Sequence, residues 1–257
     1  MFITTAGRTN EEMTRRAKSI AEELNVSFVR RDKRSIQAIQ QLLLDDCIVV
    51  GKEKLELFPY GEIEPFFFHP NSSMFRIKRL IEGEQDPFVT ACQLKEGSRF
   101  LDCTLGLASD SIVASHIVGS EGRVVGIEGN RYLAYVVNDG LKSWDSNVVK
   151  VRDALKRVEV IHAISLDYLK SCEDNSFDVV YFDPMFDVSI TESDGIKGLS
   201  KIALYEDISD EMIFHGKRVA RTRVVLKDHF RSKRFEKYNF NVHKRKTAKF
   251  HFGVIEI

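Results

Sequence analysis

The residues best suited to chemistry are the four that follow an apolar run at 177–182, Asp183-Pro184-Met185-Phe186. The carboxylate of Asp183 can accept hydrogen bonds from an amino group and stabilise positive charge that develops on its nitrogen. Pro184 fixes the chain and exposes carbonyl acceptors, and Phe186 offers a face for an unstacked base. Asp-Pro alone commonly marks a turn. At the end of an apolar strand, the tetrapeptide indicates a catalytic site for a flat amino group on a nucleobase.

Polar residues also accompany two earlier predicted strands, 99–103 and 123–128. Asp102, Thr104, Gly106 and Asp110 belong to the first strand and its loop, and Glu128 ends the second. Ligands of open α/β sheets bind outside the carboxyl ends of the strands, where a glycine lets the backbone approach them. A carboxylate such as Glu128 can accept both ribose hydroxyls of a nucleoside, which serves S-adenosylmethionine and NAD equally well.

The first loop favours S-adenosylmethionine over NAD, because it lacks the GxGxxG turn that receives a pyrophosphate. Asp102 and Asp110 would repel a pyrophosphate but attract the cationic sulfonium and ammonium of S-adenosylmethionine. A structural alternative for Asp110 is a helix N-cap. A third predicted strand spans residues 159–163. After it, the backbone amides near Ile164 and Ser165, or the side chain of Asp167, can hydrogen-bond the edge of an adenine.

Strands and helices alternate from Gly97 onward, which predicts a mostly parallel sheet with covering helices. The predicted strands are 99–103, 123–128, 159–163, 177–183 and 223–227, and an antiparallel pair near 238–244 and 249–257 closes the sheet. Before them we predict strand 2–6, helix 10–24 with Asn10 as its cap, strand 26–30, helix 35–44 and strand 47–50. The chain thus divides into a small N-terminal α/β domain (1–65), a connecting segment with a helix (66–97) and a larger α/β domain (98–257).

The connecting segment interleaves aromatic and basic residues. The run Phe66-Phe67-Phe68 can either stack bases or bury a seam between two domains, and for Phe67 we favour burial. Basic side chains at roughly helical spacing, and one at the end of strand 223–227, are candidate substrate contacts: Arg76, Lys78, Arg79 and Lys227.

The 257-residue chain has a formal net charge of zero, but its charges are segregated. Residues 217–249 carry thirteen Lys or Arg and two acids, whereas residues 159–211 carry thirteen acids and three Lys. The first segment suits a polyanion, although either can equally be a solvated face. The four scattered cysteines indicate no metal site, and the N-terminal apolar run is too short for a signal peptide. We therefore expect a cytoplasmic protein.

Five segments resemble the class I methyltransferases of the bacterial RsmJ-like group, namely residues 101–110, 127–128, 139–141, 161–166 and 178–186. That group methylates guanine N2 in small-subunit ribosomal RNA. The resemblance implies a Rossmann-like, mostly parallel sheet with an antiparallel C-terminal hairpin, S-adenosylmethionine as cofactor and RNA as partner. It also implies cofactor contacts from Ser109, Asp110, Glu128, Gly129, Ile164, Ser165 and Asp183.

Two departures from the group indicate a related but distinct subgroup. Ala108 stands where the group usually has a second glycine, and Gly129 replaces the arginine that commonly follows the ribose-binding acid. We expect methyl transfer to a nucleobase amine, with guanine N2 of ribosomal RNA as the target. A DNA adenine, a protein amide and a small-molecule amine stay open as substrates. A binding protein without turnover is a further alternative, which the presence of Asp183 and Phe186 disfavours.

Overall fold

A computed structural model describes residues 1–184 and 207–257 of the chain. Residues 1–69 and 135–143 belong to one compact unit, and residues 70–134, 144–184 and 207–257 belong to a second. The domain boundaries expected at residues 65 and 97 stay a prediction. Among the helices that the structure describes, none is both long and apolar enough to cross a membrane.

The first unit contains β1 (Phe2–Thr5), α1 (Glu11–Glu23), β2 (Ser27–Phe28), α2 (Ile36–Leu43), β3 (Cys47–Val50) and β4 (Leu55–Phe58). Its strands form a sheet in the order β2-β1-β3-β4, with β1 parallel to β2 and β3, and β4 antiparallel to β3. Asn10 caps α1 by accepting a 2.8 Å hydrogen bond from Met13 N, as predicted. The strand Leu55–Phe58 was not predicted.

The Phe66-Phe67-Phe68 run lies beside β4 in extended conformation. Phe66 forms a β-bridge with Leu57, and because extended residues alternate sides, Phe66 and Phe68 are buried. Phe67 is half-buried, and its ring centroid lies 3.4 Å from Lys54 Nζ. Phe67 is thus the least buried of the three rings, and the seam between two domains that we favoured for it stays a prediction.

The strands of the second unit are β5 (Arg99–Asp102), β6 (Arg123–Glu128), β7 (Val158–His162), β8 (Phe177–Phe182), β9 (Ala220–His229), β10 (Asn241–His243) and β11 (Phe250–Glu256). In the described ranges they form one sheet in the order β10-β11-β9-β8-β5-β6-β7. The strands β5 to β9 are parallel, and β10 and β11 are antiparallel additions. The carboxyl ends of β5, β6, β8 and β9 consequently share one edge.

The helices that alternate with these strands along the chain are α3 (Asn71–Ile81), α4 (Pro87–Cys92), α5 (Ser109–Val118), α6 (Arg131–Ser143), α7 (Val149–Arg157), α8 (Ser165–Ser171), α9 (Asp210–Val219) and α10 (Arg234–Lys237). Residues 135–143 of α6 belong to the first unit. The ring of Phe88 from α4 packs edge-on against Phe100 and Tyr181, with centroid distances of 5.6 and 5.1 Å. This aromatic cluster fixes Tyr181 at the centre of the sheet.

The predicted fold class is confirmed. The strands fall within three residues of their predicted limits, and β9 alone begins clearly earlier, at Ala220 instead of residue 223. A mostly parallel sheet with an antiparallel C-terminal pair of strands is what the resemblance to class I methyltransferases implies.

One glycine of β6 lets the loop after β5 lie close to the sheet. A Cβ added at Gly126 would lie 2.2 Å from Leu105 Cδ1, and Leu105 is itself buried. We expect Gly126→Ala to lower the free energy of unfolding by ~1–3 kcal/mol through overpacking. Urea unfolding followed by circular dichroism measures this. Gly7→Ala is the control, since its Cβ would meet Arg31 at an ordinary 3.5 Å. Equal stability of the two variants would contradict the packing argument.

Candidate functional site

All predicted site residues that the structure describes lie in the second unit. The first is Asp102, which is buried at the end of β5. Its Oδ1 accepts hydrogen bonds from Thr104 N (3.0 Å) and Thr104 Oγ1 (3.3 Å), and its Oδ2 accepts one from Ser111 Oγ (2.7 Å). Burial raises the pKa of Asp102 to about 7. The hydrogen bonds of Asp102 therefore fix the conformation of the loop that follows β5.

The loop after β5 turns sharply into α5. Gly106 and Ala108 both have left-handed backbone conformations, with φ values of 49° and 60°. For an alanine this conformation costs about 1–2 kcal/mol, which a glycine would avoid. Leu105 N donates to Ile127 O (3.0 Å), so the turn is fastened to β6. Ser109 begins α5 and is half-buried.

Glu128 connects the end of β6 to the same loop. Its Oε2 accepts a hydrogen bond from Gly106 N (3.3 Å), and its Oε1 accepts one from Asn130 N (2.9 Å). Burial raises the pKa of Glu128, and the backbone N–H groups of Asn130, Gly106 and Gly129 oppose that shift. A carboxylate held at this edge is placed where the ribose of a nucleoside binds in open α/β sheets.

Ser165, the first residue of α8, contacts the loop that follows β5. Its Oγ donates a 2.5 Å hydrogen bond to Cys103 O, and Ile164 is the N-cap residue of α8. The structure therefore brings residues 102–110, 128–129 and 164–165 to one edge of the sheet. Their contacts with a cofactor stay a prediction.

Asp110 lies in the first turn of α5 at the centre of a buried polar network. Arg76 Nη1 donates to its Oδ1 (2.6 Å), while Tyr181 Oη (2.8 Å) and Lys227 Nζ (3.1 Å) donate to its Oδ2. Burial raises the pKa of the Asp110 carboxyl, but Lys227 and Arg76 outweigh it and hold that pKa well below its usual value. The alternative that Asp110 is a helix N-cap was wrong, because Ala108 occupies that position.

Asp183 follows β8 at the same edge. Its backbone N donates to Thr104 Oγ1 (2.6 Å), and its Oδ2 accepts a 2.6 Å hydrogen bond from Lys227 Nζ. Burial raises the pKa of Asp183, Lys227 opposes this, and the Asp110 charge adds to it. Lys227 therefore bridges two carboxylates, which keep it protonated by raising its pKa despite burial.

The candidate substrate contacts on α3 have different surroundings. Arg76 donates to Asp86 through Nε (2.7 Å) and Nη2 (2.9 Å) as well as to Asp110, and only 20% of its side chain is exposed. Lys78 and Arg79 are exposed, and Arg79 forms an ion pair with Glu84. Their roles in substrate binding stay predictions. Pro184 directly follows Asp183, whereas Met185 and Phe186 lie outside the described residues.

Sequence reasoning missed two members of this site. Tyr181 was assigned only to an apolar strand, yet its hydroxyl contacts Asp110. Asp86 was not considered, although Asp86-Pro87 is a good helix start with an N-cap and a proline at N1. That local signal predicts α4, but nothing local predicts the ion pair between Asp86 and Arg76.

A family sequence model described as "Putative SAM-dependent methyltransferase" matches residues 38–254. The chain belongs to this family. It is therefore a methyltransferase that uses S-adenosylmethionine, in agreement with the acid-lined loop and its single glycine. The residues present suit S-adenosylmethionine, because Asp102 and Glu128 place hydrogen-bond acceptors at this edge of the sheet and the loop after β5 has no phosphate-binding turn.

The methyltransferase is similar along almost its whole length to the Bacillus subtilis protein named "Uncharacterized protein YpiP", with 45% identity over 99% of both chains. Ribosomal RNA small subunit methyltransferase J of Legionella pneumophila is 26% identical over 71% of this chain and 67% of that protein. The crystal structure of the SAM-dependent methyltransferase NGO1261 from Neisseria gonorrhoeae has a TM-score of 0.65 and 14% identity, covering 100% of this chain and 96% of that one. At that identity the structural likeness shows the fold alone.

Replacing Glu128 tests the ribose-binding position of this methyltransferase. We expect Glu128→Ala to weaken S-adenosylmethionine binding about 100-fold, since it removes a charged acceptor of two hydrogen bonds. Isothermal titration calorimetry gives the affinity. Glu159→Ala, on the neighbouring strand β7, is the matched control because Glu159 is half exposed and pairs with Arg123. Unchanged affinity in Glu128→Ala, or binding of NAD, would overturn the assignment.

The raised pKa of Asp102 predicts a pH-dependent stability. The folded protein holds this proton up to a pH of about 7, whereas an unfolded chain releases it near the usual value of 3.8. The contribution of Asp102 to the free energy of unfolding therefore falls as pH rises from about 4 to 7, and is constant above that.

As pH rises from 5 to 8, we expect the free energy of unfolding of Asp102→Asn, which cannot titrate at this position, to rise by about 2–3 kcal/mol relative to that of the wild type. Urea unfolding at a series of pH values measures the difference between the two proteins, so that shifts from other groups cancel. A difference that does not vary with pH would show that Asp102 titrates normally.

Proposed function

We propose that this enzyme methylates the exocyclic amine of a nucleobase, namely guanine N2 in small-subunit ribosomal RNA. The observation that carries the proposal is the Asp183 carboxylate at the carboxyl end of β8, on the edge shared with Asp102 and Glu128. An enzyme with this substrate acts in the cytoplasm.

The contacts of Asp183 make it a fixed hydrogen-bond acceptor. Thr104 holds its backbone and Lys227 holds Oδ2, while Oδ1 has no hydrogen-bond partner within the described part of the chain. The side chain is 25% exposed, so a substrate can approach it. Oδ1 can therefore accept an N–H of a bound amine and fix its direction.

The reaction places specific demands on this acceptor. S-adenosylmethionine supplies an electrophilic methyl group, and transfer replaces its carbon–sulfur bond with a carbon–nitrogen bond. The nitrogen lone pair of a purine amine is delocalised into the ring, so the amine must be oriented before it reacts. Nitrogen gains positive charge as the bond forms and loses a proton afterwards, and a carboxylate beside it stabilises that charge.

The charge balance of the buried network agrees with this chemistry. Three carboxylates, from Asp86, Asp110 and Asp183, contact two cations, Arg76 and Lys227. The formal charge of minus one favours positive charge at the reacting nitrogen. We infer that Arg76 and Lys227 position the carboxylates of Asp110 and Asp183. Lys78 and Arg79 are the basic residues of α3 that are exposed enough to approach a phosphate. Phe186 would stack the target base.

The choice of ribosomal RNA is supported by two observations. The similarity to ribosomal RNA small subunit methyltransferase J covers 71% of this chain. The charge segregation at 217–249 also favours a polyanion over a small molecule.

Mass spectrometry of ribosomal RNA nucleosides tests the target and the role of Asp183 together. In cells that lack the protein, we expect the loss of one N2-methylguanosine per small-subunit RNA. The wild-type protein restores the modification, and so does the control Asp174→Ala, whose carboxylate lies 68% exposed on the surface. Asp183→Ala should methylate at least ~100-fold more slowly, as when one transition-state hydrogen bond is removed.

An unchanged nucleoside profile after deletion would exclude ribosomal guanine as the target. Full restoration by Asp183→Ala would instead keep the target and remove Asp183 from the mechanism.

A further inference from the structure

The basic segment 217–249 divides into paired and unpaired residues. Six of its thirteen cations form ion pairs with acids in the described ranges: Arg218, Arg221, Arg223, Lys227, Arg234 and Lys237. The other seven make no ion pair within those ranges: Lys217, Arg231, Lys233, Lys244, Arg245, Lys246 and Lys249. Six of these seven fall between residues 231 and 249. The free positive charge is therefore concentrated in two loops.

The topology of the sheet places these loops together. One loop follows β9 at His229, and the other leads into β11 at Phe250, which is the residue paired with His229. Phe230 N donates a 3.1 Å hydrogen bond to Lys249 O, which joins the two loops directly. Because β9 is parallel to β8, this is also the edge at which Asp183 lies.

Aromatic rings are interleaved with the cations at this edge. The Phe230 ring lies 4.5 Å from His229 and 6.2 Å from His251, and Arg231 Cζ lies 5.0 Å from its centroid. Phe230 is nevertheless 43% exposed. We call His229, Phe230, Arg231, Arg245, Phe250 and His251 the basic–aromatic rim.

The basic–aromatic rim is continuous with the reactive edge. The centroid of Phe250 lies 4.9 Å from Arg245 Cζ and 5.1 Å from Lys227 Nζ. Lys227 Nζ in turn lies 2.6 Å from Asp183 Oδ2. A strand of nucleotides lying on the rim would consequently run to the Asp183 carboxylate.

We propose that the basic–aromatic rim binds unpaired RNA nucleotides next to the modified base. Exposed rings stack bases regardless of sequence, and the guanidinium groups of Arg231 and Arg245, which pair with no acid among the described residues, can neutralise phosphates. An exposed phenylalanine beside two histidines and an arginine provides both a ring on which a base can stack and positive charge for its phosphate, the combination found in single-strand binding sites. This inference rests on the proposed function, since it assigns the surface that holds the same RNA.

Filter binding of an unmodified small-subunit ribosomal RNA transcript tests the proposal. We expect Arg231→Ala combined with Arg245→Ala to weaken binding about 10-fold in ~0.1 M salt. The slope of log affinity against log salt should become shallower by ~1.4, or ~0.7 for each phosphate of a single strand that is no longer neutralised. Phe230→Ala should weaken binding about 10-fold with little change of slope, and Phe230→Trp should restore it, because stacking needs only a ring.

The matched control is Phe214→Ala combined with Lys217→Ala on α9. Phe214 is 64% exposed, and Lys217 lies outside the two loops and makes no ion pair with the described residues. Calorimetry of S-adenosylmethionine binding, with far-ultraviolet circular dichroism, shows for each variant that the fold and the cofactor site are intact. If the arginine pair disturbs folding, Arg231→Gln alone carries the test.

The outcomes separate this inference from the proposed function. If the wild type binds the transcript and the rim variants match the control, the rim is not the RNA surface, and the proposed function stands. If the wild type binds no RNA, or is displaced equally by duplex DNA, the proposed RNA substrate fails and the rim assignment fails with it. Selective weakening in the rim variants supports both.

Discussion

The second unit depends on a carboxylate that would be unstable without its partners. Asp110 is buried, and an isolated charge there would carry a desolvation cost of several kcal/mol. Arg76, Tyr181 and Lys227 reach it from three separate elements and satisfy both of its oxygens. Arg76 also pairs with Asp86, and Lys227 also pairs with Asp183. The requirement to satisfy one buried charge therefore fixes α3, α4, β8 and β9 relative to α5. The carboxylate of Asp183 is positioned as a consequence of this network.

The acids predicted to contact the cofactor already make hydrogen bonds within the protein. Asp102 and Glu128 each accept hydrogen bonds from the loop that follows β5, so the loop is shaped by the residues that its sequence predicts as cofactor contacts. A preformed loop lowers the ordering cost of binding. The strain that this requires is visible in Ala108, which takes a left-handed conformation that glycine would adopt more easily. The tolerance of alanine here agrees with a loop that is held from both sides, by Asp102 and by Glu128.

Local patterns predicted most of the fold, and pairs distant in sequence account for what they did not predict. Apolar runs placed the strands of the second unit, and Asn10 marked the start of a helix, since both signals act over a few residues. The gathering of the predicted cofactor residues at one edge of the sheet also followed from the sequence, because parallel strands end at a common edge. The ion pair of Arg76 with Asp110 spans 34 residues, and no spacing rule connects them. Arg76 and Lys227 were predicted as substrate contacts without any sign of these ion pairs, because the partner of a cation cannot be read from its neighbours in the sequence. Phe67 shows the same limit on a smaller scale, because its exposure is set by a bridge between Phe66 and Leu57.

Charge segregation in the sequence gains a different meaning once the ion pairs are known. Asp174, Asp207 and Asp210 belong to the acidic segment 159–211, and they pair with Arg218, Arg234 and Lys237 of the basic segment. Part of the opposite charge of these two segments is therefore paired between them. Within the described residues of these two segments, the side chains that make no ion pair are mostly cations near the carboxyl end of β9. Salt screens interactions between charges that lie more than about 8–10 Å apart. This local excess of positive charge, and not the net charge, therefore determines how strongly a polyanion is attracted to the edge at which Asp183 lies.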